Sequence, residues 1–167
     1  MLGRIFPGLS GSLSLLVVTI GLVGSSSAQQ VANQQVANQP SAHERRLLAE
    51  NYTNERLAVW QQRLNLQDWH VSVVMSRATE LKPKTLGNIH WDIEKKTAVI
   101  RVLDPADYRL PYREMLQDME FTVVHELIHL ELAPVLSDLQ RSDANRREEE
   151  HSVNHMADAL LKLDRGK

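Results

Sequence analysis

The spacing of apolar and polar residues divides the chain beyond residue 40 into a helix, three short strands and a helical C-terminal third. Apolar residues recur at helical spacing from Ser41 to Leu66, and Glu44 stands three residues after Ser41, as in a capping box. From Trp69 to Met75 apolar residues alternate along the chain, which predicts a half-buried strand. The segments Asn88 to Asp92 and Thr97 to Leu103 predict the two strands of a hairpin.

Helical spacing continues to the C-terminal end. Pro111 suits the first turn of a helix and Pro134 its end, so the residues between them form either one long helix or a short helix followed by a second. A further helix is predicted from Asp143 to Asp164, where apolar residues form a stripe. The order of these elements predicts an α+β domain with an N-terminal helix, a small, mostly antiparallel sheet of three strands, and C-terminal helices.

The first 40 residues have a different composition. Arg4 is the only charged side chain among the first 28 residues, an apolar stretch runs from Leu13 to Val23, and small residues lead up to Ala28. This arrangement is typical of a secretory signal peptide, so we expect an exported protein, periplasmic or secreted, with a retained membrane anchor as the alternative. Residues 29–40 contain a repeated Gln-Gln-Val-Ala-Asn segment and predict a disordered linker, which leaves residues 41–167 as a single domain.

Charge and cysteine content narrow the classes of function. The chain has 19 basic and 21 acidic residues, and the basic residues are scattered, so we expect no nucleic-acid partner. It contains no cysteine, which excludes disulfides and thiolate metal ligands. We expect no stable membrane span after signal cleavage, and the oligomeric state stays open.

The motif His125-Glu126-Leu127-Ile128-His129 carries most of the chemical information. On a helix its two histidines lie one turn apart on the same face, so both rings can bind one zinc ion. Glu126 directly follows the first histidine and can serve as the base for an attacking water. A solvated helix face is the alternative interpretation. The flanking residues are apolar, however, and polar groups buried among them need partners such as a metal ion.

A catalytic zinc site needs a third protein ligand. Metzincins place a glycine and a third histidine shortly after the motif, where this chain has Leu132 and Val135. Helical geometry favours Glu150, and Asn154 one turn later can hold a ligand histidine by its outer nitrogen. Glu149 stays open as the competing ligand. The alternative interpretation is that it belongs to a charged helix start, where acidic residues suit the helix dipole. The full set of candidates is Glu148, Glu149, Glu150, His151 and His155 on the last helix, with Glu131, Asp138 and Asp143 nearer in sequence.

The two C-terminal helices resemble the gluzincin group of zinc peptidases, which carry His-Glu-x-x-His on one helix and a glutamate ligand on the next. Glu150 followed by Asn154 is similar to the thermolysin-type pair, with Asn154 in place of an aspartate. The run from Glu150 to Leu161 also resembles the corresponding helix of minimal ImmA/IrrE-like metallopeptidases, with Val153 and Met156 as departures. The resemblance covers roughly residues 65–163 and implies a zincin-like fold and zinc-dependent hydrolysis, but no particular substrate.

These features predict an exported zinc metalloendopeptidase. His125, His129 and Glu150 bind one Zn²⁺, Glu126 is the general base, and the partner is a peptide or protein substrate. The strand Asn88 to Asp92 is the expected docking edge for an extended substrate.

Two alternatives and one set of candidate residues complete the predictions. The alternatives are a non-catalytic, zinc-stabilised binding module of the cell envelope and a helical surface protein without metal. The candidates for stabilising a developing oxyanion are Tyr108, Tyr112, His90 and Arg109.

Overall fold

The computed structural model describes residues 40–136 and 142–166. The predicted signal peptide of residues 1–28 lies outside the described residues, as does the predicted linker of residues 29–40 except for Pro40. Within the described ranges, no helix is both long and apolar enough to cross a membrane.

Helix α1 covers Ala42–Arg63 and begins at the predicted capping box. The Ser41 hydroxyl accepts a hydrogen bond from the Glu44 backbone N–H at 3.2 Å, and the Glu44 carboxylate accepts one from the Ser41 N–H at 2.7 Å. These two bonds satisfy backbone donors that a helix start otherwise leaves without partners. The buried face of α1 follows helical spacing through Ala49, Thr53, Leu57 and Trp60.

The strands β1 (His70–Ser76), β2 (Gly87–Asp92) and β3 (Thr97–Leu103) form a mixed sheet in the order β1-β3-β2. The predicted hairpin is present, because β2 runs antiparallel to β3. β1 runs parallel to β3, however, so the expectation of a mostly antiparallel sheet is wrong for this pair. The chain crosses from β1 to the far edge through residues 77–86 and returns in the hairpin, which places β3 between the other two strands. β2 is therefore an edge strand.

Helix α2 runs without interruption through Tyr112–Leu136 and carries the His-Glu-x-x-His motif. The alternative of a short helix followed by a second one is therefore wrong. The Pro111 carbonyl accepts a hydrogen bond from the Met115 N–H at 2.9 Å, while Pro134 lies inside the last turn of the helix. The packing of α2 against α1 and the sheet fixes the orientation of the helix and therefore the direction in which the motif points. Side chains of α2 that are at most 1% exposed are Met115, Met119, Val123, Val124, Leu127 and Leu130.

Helix α3 covers Asp143–Asp164, the range that the sequence predicts. The Ser142 hydroxyl caps its start by accepting a hydrogen bond from the Asn145 N–H at 3.1 Å. One apolar stripe of α3 packs against α2, and this packing turns the first half of α3 towards the motif. The stripe consists of Val153, Ala157 and Leu161, which are 0%, 0% and 3% exposed.

A buried carboxylate links the three helices near the C-terminal end of α3. Glu120 on α2 is 3% exposed and accepts hydrogen bonds from Tyr52 at 2.9 Å, Trp60 at 3.0 Å and Arg165 at 3.0 Å. Arg56 on α1 donates a fourth bond at 2.5 Å. Burial alone would raise the pKa of Glu120, but these bonds hold it below its usual value. The network therefore holds α3 at the end remote from the motif.

Candidate metal centre

Three potential ligand atoms converge between α2 and α3. The Nε2 atoms of His125 and His129 are 3.0 Å apart, and Glu150 Oε2 lies 3.3 Å from the first and 3.6 Å from the second. His129 is buried, His125 is half-buried, and Glu150 is exposed. The structure thus brings together the three residues that the sequence predicts as ligands. Among the described residues, they form the one group of three or more that could hold a metal ion.

The separations between these atoms suit a tetrahedral ion. Zinc binds imidazole nitrogen and carboxylate oxygen at about 2.0–2.2 Å, so two ligand atoms of a tetrahedral site lie about 3.3–3.6 Å apart. The observed separations of 3.0, 3.3 and 3.6 Å surround this value. Two imidazoles and one carboxylate also form a ligand set of catalytic zinc sites, which keep a fourth position for water.

The outer ring nitrogens of both histidines are held by α3. Nδ1 of His125 lies 3.1 Å from Oδ1 of Asn154, and Nδ1 of His129 lies 3.0 Å from Oε1 of Glu149. Because an amide oxygen and a carboxylate only accept hydrogen bonds, the proton of each neutral ring belongs on Nδ1, and the lone pair then lies on Nε2. Burial, followed by the charge of His129, lowers the pKa of His125 and favours its neutral ring. Two lone pairs and a carboxylate at this distance favour a cation between them.

The structure separates the two competing glutamates. Glu150 reaches the ligand group, whereas Glu149 contacts the outer nitrogen of His129 and leaves only 16% of its side chain exposed. Asn154 contacts His125, as the sequence predicts for a ligand histidine. The contact of Glu149 with the outer nitrogen of His129 is not among the sequence predictions. A signal for it exists in the sequence. Glu149 lies about 100° round the helix from Glu150, and the second histidine needs an acceptor of its own.

Glu126 is buried next to the ligand residues, with 7% of its surface exposed. Burial, followed by the charge of Glu150, raises the pKa of Glu126 to about 8, although the charge of Lys82 opposes the rise. A carboxyl group with a pKa near neutrality can both take up and release a proton under ordinary conditions.

Strand β2 approaches α2 beside Glu126 at a position that requires glycine. A Cβ atom on Gly87 would lie 2.4 Å from Cγ2 of Thr122 and 2.6 Å from the backbone oxygen of Arg101. Both distances are far below an ordinary van der Waals contact of about 3.5–4.0 Å. The same Cβ would lie 3.6 Å from Oε1 of Glu126. The missing side chain therefore lets the edge strand lie against the turn of α2 that carries the predicted base.

A cleft of about 430 Å³ contains this group of residues. Its walls come from α2, α3, β2 and the loop before β2, and its lining includes the apolar side chains of Leu86, Ile89, Trp91 and Phe121. The four candidates for stabilising an oxyanion lie outside this described lining; they are Tyr108, Tyr112, His90 and Arg109. Tyr108 instead donates a hydrogen bond to Asp118 at 2.9 Å.

The centre combines three convergent ligand atoms, a buried carboxyl group and an open cleft. Comparisons of the chain with protein-family models, curated proteins and solved structures find no match.

Proposed function

We propose that this protein is a zinc-dependent metallopeptidase with His125, His129 and Glu150 as metal ligands and Glu126 as general base. The observation that carries the proposal is the convergence of three ligand atoms within 3.6 Å, next to a buried carboxyl group in an open cleft. Bound zinc supplies Lewis acidity, which lowers the pKa of water towards about 7 and polarises a carbonyl group. The signal-like composition of residues 1–28 supports an exported enzyme.

The side chains of the centre account for the proton movements. The Glu126 carboxylate accepts a proton from the attacking water and donates it to the leaving amide nitrogen. Its burial and raised pKa suit a group that must perform both steps near neutral pH. Asn154 and Glu149 hold the rings of His125 and His129, so that the ligand lone pairs stay directed at one point.

The free edge of β2 suits an extended peptide substrate. β2 lies at the edge of the sheet, and its residues Gly87, Ile89 and Trp91 line the cleft. An edge strand offers unpaired backbone N–H and C=O groups to a peptide that binds alongside it. Because Gly87 lies next to Glu126, a peptide bound along this edge passes close to the proposed base.

The zinc-stabilised binding module predicts a different metal site. A structural zinc ion is closed by four protein ligands, whereas the group found among the described residues contains three. A structural site also has no use for a buried base next to the ion. Both observations favour the enzyme.

Zinc content and peptide hydrolysis, measured on the same preparations, test the proposal. We expect about one zinc per chain in the wild-type protein and in Glu126→Gln, and hydrolysis of a peptide library by the wild type alone. The control variant is Glu131→Gln, which changes an exposed glutamate on the same helix and should keep both properties. Full hydrolysis by Glu126→Gln would refute the assigned base. Bound zinc without cleavage of any library peptide would favour the binding module.

A further inference from the structure

Three cationic side chains line the cleft without forming an ion pair to any residue that the structure describes. Lys82 and Lys84 belong to the loop before β2, and Arg146 lies one turn before Glu150 on α3. All three are exposed, and none forms an ion pair with another residue in the described ranges. Exposed cations elsewhere do have partners, as in the pairs Arg77–Asp107, Lys95–Asp92 and Lys162–Asp158.

The glutamates of the cleft are already engaged. Glu149 contacts His129, and Glu150 contacts both histidines of the motif. Glu126 belongs to the lining of the cleft but is buried. The three cations therefore add exposed positive charge to the cleft, part of which acts on Glu126 through Lys82, and the apolar walls of a cleft focus such a field.

The cations also come from two sides of the expected substrate path. Lys82 and Lys84 precede the edge strand, whereas Arg146 belongs to the helix that supplies Glu150. A peptide along β2 lies between these two walls and next to the apolar side chains of Ile89 and Trp91. A carboxylate on that peptide would meet ammonium and guanidinium groups, which form its strongest hydrogen bonds.

We propose that the cleft selects peptides with a glutamate or aspartate close to the scissile bond, and that Lys82, Lys84 and Arg146 bind its carboxylate. This inference rests on the proposed peptidase function, whose substrate class it specifies.

Matched peptides that differ only in charge test the inference. A library with Glu at successive positions around an apolar residue is compared with the same library carrying Gln. We expect the best Glu peptide to be cleaved about five- to twentyfold faster than its Gln counterpart, because each exposed ion pair adds up to a few-fold and more than one cation can contribute. The preference should decrease with added salt. The double variant Lys82→Gln/Lys84→Gln should lose most of the preference and keep its zinc, while Lys95→Gln/Lys162→Gln, outside the cleft, should keep both.

A binding measurement separates failure of this inference from failure of the proposed function. Fluorescence anisotropy reports the affinity of labelled Glu and Gln peptides for Glu126→Gln, which needs no turnover. If the wild type cleaves both peptides equally, the acidic preference is refuted and the peptidase function stands. If no peptide is cleaved but Glu126→Gln binds the Glu peptide better, the peptidase function fails and the acidic preference is supported. Equal binding without cleavage refutes both.

Discussion

The contact between Glu149 and His129 leads to a quantitative prediction about zinc affinity. Glu149→Gln removes the charge and keeps an acceptor oxygen, whereas Glu149→Ala removes the contact. Losing the outer partner of a metal-bound histidine weakens metal binding about 10- to 100-fold, or about 1.4–2.8 kcal/mol. We expect the loss of zinc affinity to lie near the upper limit of this range for Glu149→Ala and near the lower limit for Glu149→Gln.

Asn154 provides an internal comparison for this prediction. Hydrogen bonds that involve a charge are about twice as strong as neutral ones. Glu149 is charged and largely buried, whereas Asn154 is neutral and exposed, although the two contacts have similar lengths of 3.0 and 3.1 Å. Asn154→Ala should therefore weaken zinc binding less than Glu149→Ala does, by about tenfold or less.

Competition with a chromophoric zinc chelator at one fixed pH measures these affinities. Glu148→Gln is the control, because Glu148 is exposed on the same turn of α3. Glu150→Ala should lose more affinity than any of these variants, since it removes a ligand. If Glu149→Ala stayed within about threefold of the wild type, against the range given above, the reasoning from the hydrogen bond would fail. If Glu150→Ala kept stoichiometric zinc and Glu149→Ala lost it, Glu149 would be the metal ligand and Glu150 would not.

Three further predictions concern stability. Glu120→Ala leaves the buried Trp60 N–H and Arg56 without their acceptor and should cost about 3–5 kcal/mol in urea unfolding, with less for Glu120→Gln; a cost below about 1 kcal/mol would contradict the network. Gly87→Ala forces β2 away from Thr122 and should cost about 1–3 kcal/mol and slow peptide hydrolysis, so wild-type stability would contradict the close approach. The folded metal-free protein holds the Glu126 proton up to about pH 8, against a usual pKa of 4.5, so its stability should be full below about pH 4.5 and fall as the pH rises to about 8. The free energy of unfolding of Glu126→Gln, measured at several pH values, should not show this fall.

Features decided by neighbouring residues could be predicted from the sequence. The capping box of Ser41 and Glu44 needs only four consecutive residues, and both of its bonds are present. The limits of α3 follow likewise from the polar residues at its start and the apolar stripe within it. The convergence of His125 with His129 follows from the period of a helix.

Features decided by packing between distant segments could not be predicted in this way. The parallel pairing of β1 with β3 depends on the path of residues 77–86 across the end of the sheet, and alternation within β1 is the same for either direction. The contact of Glu149 with His129 depends on how α3 is rotated against α2, which its buried stripe sets. The cleft lining likewise brings together Lys82 and Arg146, which are far apart in sequence.

The separate tasks of Glu149, Glu150 and Asn154 also limit the insertions and deletions that this chain can tolerate. The three residues lie on one helix, where each added residue turns all that follows by about 100°. An insertion between Glu150 and Asn154 would move the amide away from His125 and rotate the apolar stripe out of its packing against α2. A change of length between α2 and α3 leaves the phase of α3 intact. Relatives of this chain should therefore vary in that connection and keep Glu-Glu-x-x-x-Asn as one block.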